Sequence, residues 1–217
     1  MCRRTDWWIL PFSAVVLMAA DPSWKTKPIR QWTAEDARQV LMDSPWVKRA
    51  AIAILPQRSE AQMREGGKMG CGGKNAGLGP LSDISRDRTL EVRWESAGAV
   101  RAAELKAGDT GLDWDGDYYA IAVYDVPGIT PLAQKTLQSD LKQTTLLKRD
   151  GKKDLKPARV EIALLGKDLA RIVYLFPRSP EITLADERVQ FVAQIGRLYI
   201  AQLFDLAAMQ FEDKLDL

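Results

Sequence analysis

Histidine is missing from all 217 residues. That absence removes histidine triads, histidine general bases and histidine-ligated zinc or iron. Catalysis would have to use carboxylates, Lys, Tyr, Ser/Lys pairs or a thiol. Cysteine is nearly as scarce, with Cys2 and Cys71 alone. Charge of one sign is lacking too: 31 basic and 29 acidic side chains leave +2. No overall field therefore draws the chain to nucleic acid or to an anionic membrane surface. Nor is there an apolar run of the ~20 residues that a membrane-spanning helix needs.

What is present is a globular composition, 46% hydrophobic, on a chain of one ordinary domain's length. The N-terminus reads as an export signal. Arg3 and Arg4 precede Trp7 to Ala20, fourteen residues whose only polar member is Ser13. Such a run makes roughly 21 Å of helix against the ~30 Å hydrocarbon core, which predicts a cleaved leader of residues 1–20 rather than a span. Cleavage near Ala20 leaves a periplasmic or secreted protein, tied to the membrane only if the signal stays uncleaved. Cys2 lies ahead of the apolar run, where no lipoprotein cysteine belongs. The processed chain keeps only Cys71, so no intramolecular disulfide forms and the core must carry the stability.

Residues 21–56 predict a helix and the first strand. In "WTAEDARQVLMDSPW" (32–46), Thr33 is a good N-cap and Asp36 stands at N3, where a capping box places an acid or amide. Ser44-Pro45 stops the helix, and "WVKRAAIAIL" (46–55) reads as a strand. Residues 57–88 hold no sustained apolar period and predict a disordered, glycine-rich insertion. The main antiparallel body follows over 89–217. In "TLEVRWE", Leu90, Val92 and Trp94 alternate with Glu91, Arg93 and Glu95, the pattern of a half-buried strand. A short helix capped by Ser96 should stop near Gly108, and "DYYAIAVYDV" (117–126) should be a central strand. Thr130-Pro131 opens another helix striped by Leu132, Thr136, Leu137 and Leu141. "TTLLKRDGKKDLKPARVEIALL" looks like a hairpin turning at Asp150-Gly151. Strands over 171–176, 189–195 and 198–204 follow, and "FEDKLDL" is placed to close the sheet. Strands this close together force antiparallel pairing. The expected class is α+β: an antiparallel sheet or partial barrel with about three short helices on one side.

The glycine segment "MREGGKMGCGGKNAGLG" (63–79) invites two functional readings. Seven of the fourteen residues from Gly66 to Gly79 are glycine. A phosphate loop needs Gly, four residues, then Gly-Lys-Ser/Thr; Met69 and Asn75 follow the lysines, so the pattern fails. Met63, Met69 and Cys71 would suit Cu(I), yet ordering each residue costs ~1–2 kcal/mol of backbone entropy with nothing nearby to offset it. Slack chain is the better reading. Asp113, Asp115 and Asp117 alternate as calcium ligands do, with Gly116 among them. An EF-hand would place glycine at Tyr118 and glutamate at Tyr124, so a one-off calcium site is the most this segment supports. No other cofactor is expected. The run Lys142 to Lys156 carries Lys142, Lys148, Arg149, Lys152, Lys153 and Lys156 against Asp150 and Asp154, a local +4. It lacks interleaved aromatics for base stacking, so a solvated hairpin tip is expected and nucleic acid is not.

Three stretches, "WTAEDARQVLMDSPW" (32–46), "VRWESAGAVRAAELKA" (92–107) and "ITLADERVQFVAQIGRL" (182–198), with a glycine-rich gap between the first two, resemble a family of predicted exported bacterial proteins with no assigned function. The resemblance implies that the gap tolerates low-complexity glycine and brings no catalytic residues. The leading expectation is a non-enzymatic exported protein that binds a macromolecular partner in the cell envelope. Two alternatives stand beside it: a carboxylate-based hydrolase, calcium-assisted at Asp113, Asp115 and Asp117, and a carrier of a small apolar ligand.

Overall fold

The computed structural model describes residues 22–55, 89–108, 117–131, 134–166 and 169–217. The leader, the glycine segment, Asp113 and Asp115 lie outside them. The described chain runs α1 (Ser23–Thr26), α2 (Ala34–Met42), β1 (Val47–Ile54), β2 (Thr89–Trp94), α3 (Gly98–Ala107), β3 (Tyr118–Pro127), α4 (Gln134–Thr144), β4 (Leu146–Arg149), β5 (Arg159–Leu164), β6 (Leu169–Pro177), β7 (Arg188–Ile195), β8 (Leu198–Asp205), β9 (Gln210–Phe211) and β10 (Lys214–Leu215). Eight strands form one antiparallel sheet in the order β4-β7-β8-β1-β2-β3-β6-β5. The class is α+β with a partial barrel.

Helix α2 starts as its sequence dictates. The Thr33 hydroxyl accepts the Asp36 N–H at 3.1 Å, and the Asp36 carboxylate accepts the Thr33 N–H at 2.8 Å. The same carboxylate takes the Ser23 hydroxyl proton and lies 3.2 Å from Lys27 Nζ. The Ser23 hydroxyl and then the Thr33 amide hold the Asp36 carboxyl well below the usual carboxylate range, against the opposing effect of burial. This acid therefore closes one helix and pins the short turn before it.

The sheet curls because β1 serves two neighbours. Val47–Ala51 pair with β2, while Ile52–Ile54 pair with β8. Each half then turns its apolar face inward, one residue in two. Rings from opposite halves meet inside: Trp94 on β2 lies 5.3 Å from Phe204 on β8, and Tyr174 on β6 lies 5.3 Å from Phe191 on β7. Trp94, Tyr119, Tyr174, Phe176, Phe191 and Phe204 are all fully buried. Helix α4 rests against both β5 and β7, bridging the two open sides of the curl. Of its expected stripe, Leu137 and Leu141 are buried and Leu132 lies outside the described residues; Thr136 is exposed, which the sequence pattern did not foresee.

Three further local expectations give way to long-range partners. The Asp150-Gly151 turn forms, with Gly151 at φ 64, but only Leu147 and Leu155 pair across it. β4 joins β7 and β5 joins β6, at opposite edges of the sheet. Residues 150–158 carry the chain from one edge to the other. The C-terminal stretch does not extend the sheet; β9 and β10 form a separate two-stranded ribbon. Among the described residues four helices are present where about three were expected: α2 and α3 pack on each other, and α4 lies apart from them.

Helix α3 is the third case. Ser96 does not cap it. Its hydroxyl accepts the Ala120 N–H at 3.0 Å, and the N-cap residue is Ala97, which has no side-chain cap bond. The cap comes instead from Asp216, whose carboxylate oxygens accept the Gly98 N–H at 2.6 Å and the Ala99 N–H at 2.8 Å. A carboxylate suits the positive end of the helix dipole. A Cβ on Gly98 would meet Asp216 Oδ1 at 3.2 Å, so glycine allows the close approach. The Asp216 carbonyl also accepts the Trp46 indole N–H at 2.7 Å. Asp216→Ala should cost about 1 kcal/mol, read as a lowered urea midpoint. Asp216→Asn, which keeps an acceptor, should recover about half of it.

Candidate functional site

The outward face of β2 carries the densest set of buried ionisable groups among the described residues. Glu91, Arg93 and Glu95 point away from the core, yet Arg93 and Glu95 are buried. The sequence alternation reads them as facing solvent, so this is a correction. Arg93 reaches Glu91 at 2.7 Å, Glu104 of α3 at 3.2 Å and Glu95 at 3.8 Å. The Tyr124 hydroxyl donates to Glu95 at 2.5 Å. The Arg93 guanidinium lies 4.5 Å from the Tyr124 ring centre and that of Arg171 lies 5.8 Å from it. Tyr124 reaches this position at a bulge, where the β3–β6 register shifts between Val123 and Val126 and Asp125 takes φ 57.

Burial and then the charge of Glu95 raise the Tyr124 phenol above its ordinary range. Burial works against the charge on Arg93, but the charge of Glu95 and the other acids outweighs it and keeps the guanidinium ionised. Strongly perturbed groups gathered in one place mark a candidate site. Here, however, Arg93 and the Tyr124 phenol are among the groups that hold the carboxylates. The arrangement is a clamp joining β2, β3 and α3.

A second buried pair ties the end of β4 to the turn before β7. Arg149 forks onto Asp186 at 2.9 and 3.0 Å and donates to the carbonyls of Pro180 at 3.2 Å and Glu181 at 2.8 Å. Lys152 adds a contact to Asp186 at 2.9 Å. Two members of the basic run are thus structural. Lys148 remains outward, in a shallow depression with Asp150, Asp154, Arg188, Gln190 and Leu203.

Beside that depression lie two adjacent cross-strand rows with no charges, flanked on the same outer face by Arg49, Lys148, Arg188 and Asp205. Leu146, Val192 and Ala201 are cross-strand neighbours over β4, β7 and β8, and Gln194, Tyr199 and Ala53 are neighbours over β7, β8 and β1. Ala51, Ala53 and Ala201 are exposed, and Leu203 is 45% exposed. In a chain that is 28% charged, two adjacent uncharged rows on an open face stand out. The outer face of β2, β3, β5 and β6 is the contrast, since it carries Glu91, Arg93, Arg159, Glu161 and Arg171.

Of the predicted calcium ligands, only Asp117 lies in the described residues. It precedes β3, and its backbone carbonyl accepts the Arg178 N–H at 3.2 Å. Among the described residues no group of three or more Cys, Asp or Glu is placed to hold a metal ion. The clamp residues Arg93, Glu95, Glu104 and Tyr124 went unmarked in the sequence, because nothing local says that α3 and β3 close over β2. Set against known protein families, curated proteins and solved structures, the chain matches none of them.

Proposed function

We propose that this is an exported, non-enzymatic protein that binds a macromolecule of the cell envelope through the two uncharged rows on the outer face of β1, β8, β7 and β4. The observation that carries the reading is the contrast between those open, uncharged rows and the buried ionisable groups of the described residues, which are already committed. The buried acids Asp36, Glu95, Glu104 and Asp186 each hold a fixed partner. Large side chains occupy the inside of the curl, which weighs against an apolar ligand carried there. Export rests on the leader sequence; among the described residues no helix is long and apolar enough to cross a membrane.

The test is in-cell crosslinking from a photoreactive residue at Ala201, compared with one at Glu161 on the charged face. A crosslinked partner at Ala201 alone is expected; equal labelling from both sites, or none from either, would remove the reading. Mass measurement of the exported protein should give a chain starting near Asp21. The Glu95–Tyr124 contact keeps a carboxylate hydrolase as the second reading. On a broad hydrolase panel Glu95→Gln should change nothing, and turnover lost in that variant would reverse the ranking.

A further inference from the structure

We infer that the occupant of this outer face is a second copy of the chain, a partner assignment that rests on the binding reading above. Charge is the first argument. Lys148 and Arg188 face Asp150 and Asp154 around the depression beside Leu203. Among the described residues none of these four side chains is in an ion pair. With Arg49 and Asp205, which are exposed on the same face, Asp205 directly opposite Arg188, the patch holds three cations and three anions and has no net charge. Such a patch selects neither a polyanion nor an anionic membrane. It is its own electrostatic complement, which is what a two-fold, isologous contact requires.

Shape is the second argument. The open rows are built from alanines at 51, 53 and 201 with Leu146 beside them, so another sheet can stack at the ~10 Å spacing of face-packed sheets. Four strands ~4.8 Å apart and about six residues long cover roughly 20 by 20 Å, on the order of 400 Å² per copy. A standard stable interface takes about 800 Å² per partner. The contact is therefore a weak, reversible dimer, in which Lys148 and Arg188 of one copy meet Asp150 and Asp154 of the other.

Sedimentation equilibrium on the purified full chain tests this. The wild type should dimerise with a dissociation constant on the order of 10–100 μM. Lys148→Glu with Arg188→Glu should weaken self-association at least ~10-fold, and so should Asp150→Lys with Asp154→Lys. An equimolar mixture of the two double variants should associate again. Ala201→Arg should abolish dimerisation by blocking the stacked rows. All four charge changes lie on the surface, and near-UV circular dichroism checks that the folds are kept. A wild type that stays monomeric at ~1 mM, reversals that leave association unchanged, or a mixture that fails to associate would each overturn the proposal. If the wild type is monomeric while crosslinking at Ala201 still captures an envelope partner, the second copy is ruled out and the binding reading stands.

Discussion

Arg93→Ala should lose about 3–5 kcal/mol of stability. At this chain length that is a fall in melting temperature on the order of 10 °C. The reason is what the substitution leaves behind. Glu91, Glu95 and Glu104 converge on this one guanidinium, and Glu95 and Glu104 are almost wholly buried. Removing the cation leaves buried carboxylates without the positive charge that balances them. Arg93→Lys should restore only part, since an ammonium cannot reproduce the planar fork. Arg93→Met combined with Glu95→Gln and Glu104→Gln should recover most of the loss, because the penalty belongs to unpaired charge and not to a missing side chain. Thermal melts of the three variants check the ranking. An Arg93→Ala protein as stable as the wild type would show that the clamp contributes nothing.

Arg149→Ala should cost a similar ~3–5 kcal/mol, and here pH gives a second readout. The Arg149 side chain is 2% exposed and that of Asp186 is 0% exposed. Burial by itself would raise the Asp186 carboxyl. The hydrogen bonds from Arg149, the Thr183 amide and Lys152 overcome it and hold the group below its ordinary range. A carboxyl depressed on folding stabilises fully above its unfolded value, ~3.9, and that contribution fades as pH falls through and below it. The stability gap between the wild type and Asp186→Asn should therefore stay constant from neutrality to about pH 5 and shrink below ~4. Urea unfolding across that range measures it. A gap that widened in acid would reverse the sign and reject the assignment.

The sequence discloses local devices and hides distant ones. Thr33 and Asp36 are three residues apart, and the helix they open lies where their spacing puts it. The hydrophobic alternation of β2, β7 and β8 was readable for the same reason, since strand period needs no knowledge of partners. Arg93 and Glu95 misled because a charged residue opposite an apolar one normally faces water. Whether a helix covers that side depends on Glu104 and Tyr124, which no local rule brings together. Asp150-Gly151 carries true turn chemistry, yet a turn does not choose strand partners; β4 and β5 found better ones in β7 and β6. Ser96 had the right side chain for a cap, but Asp216 holds the position from 118 residues away. The candidate interaction face was the least legible element. Its alanines and glutamines carry no motif, and only the pairing of four strands lays them side by side.

The placement of β1 has one more consequence. Its second half, Ile52–Ile54, pairs with Leu198–Ile200, so a ribosome-borne chain lacking those last strands leaves these residues with a bare hydrogen-bonding edge. Helix α3 likewise waits for Asp216. The two halves of the curl therefore cannot join through β1 until β8 has been made, so closure is a late step in the life of the nascent chain.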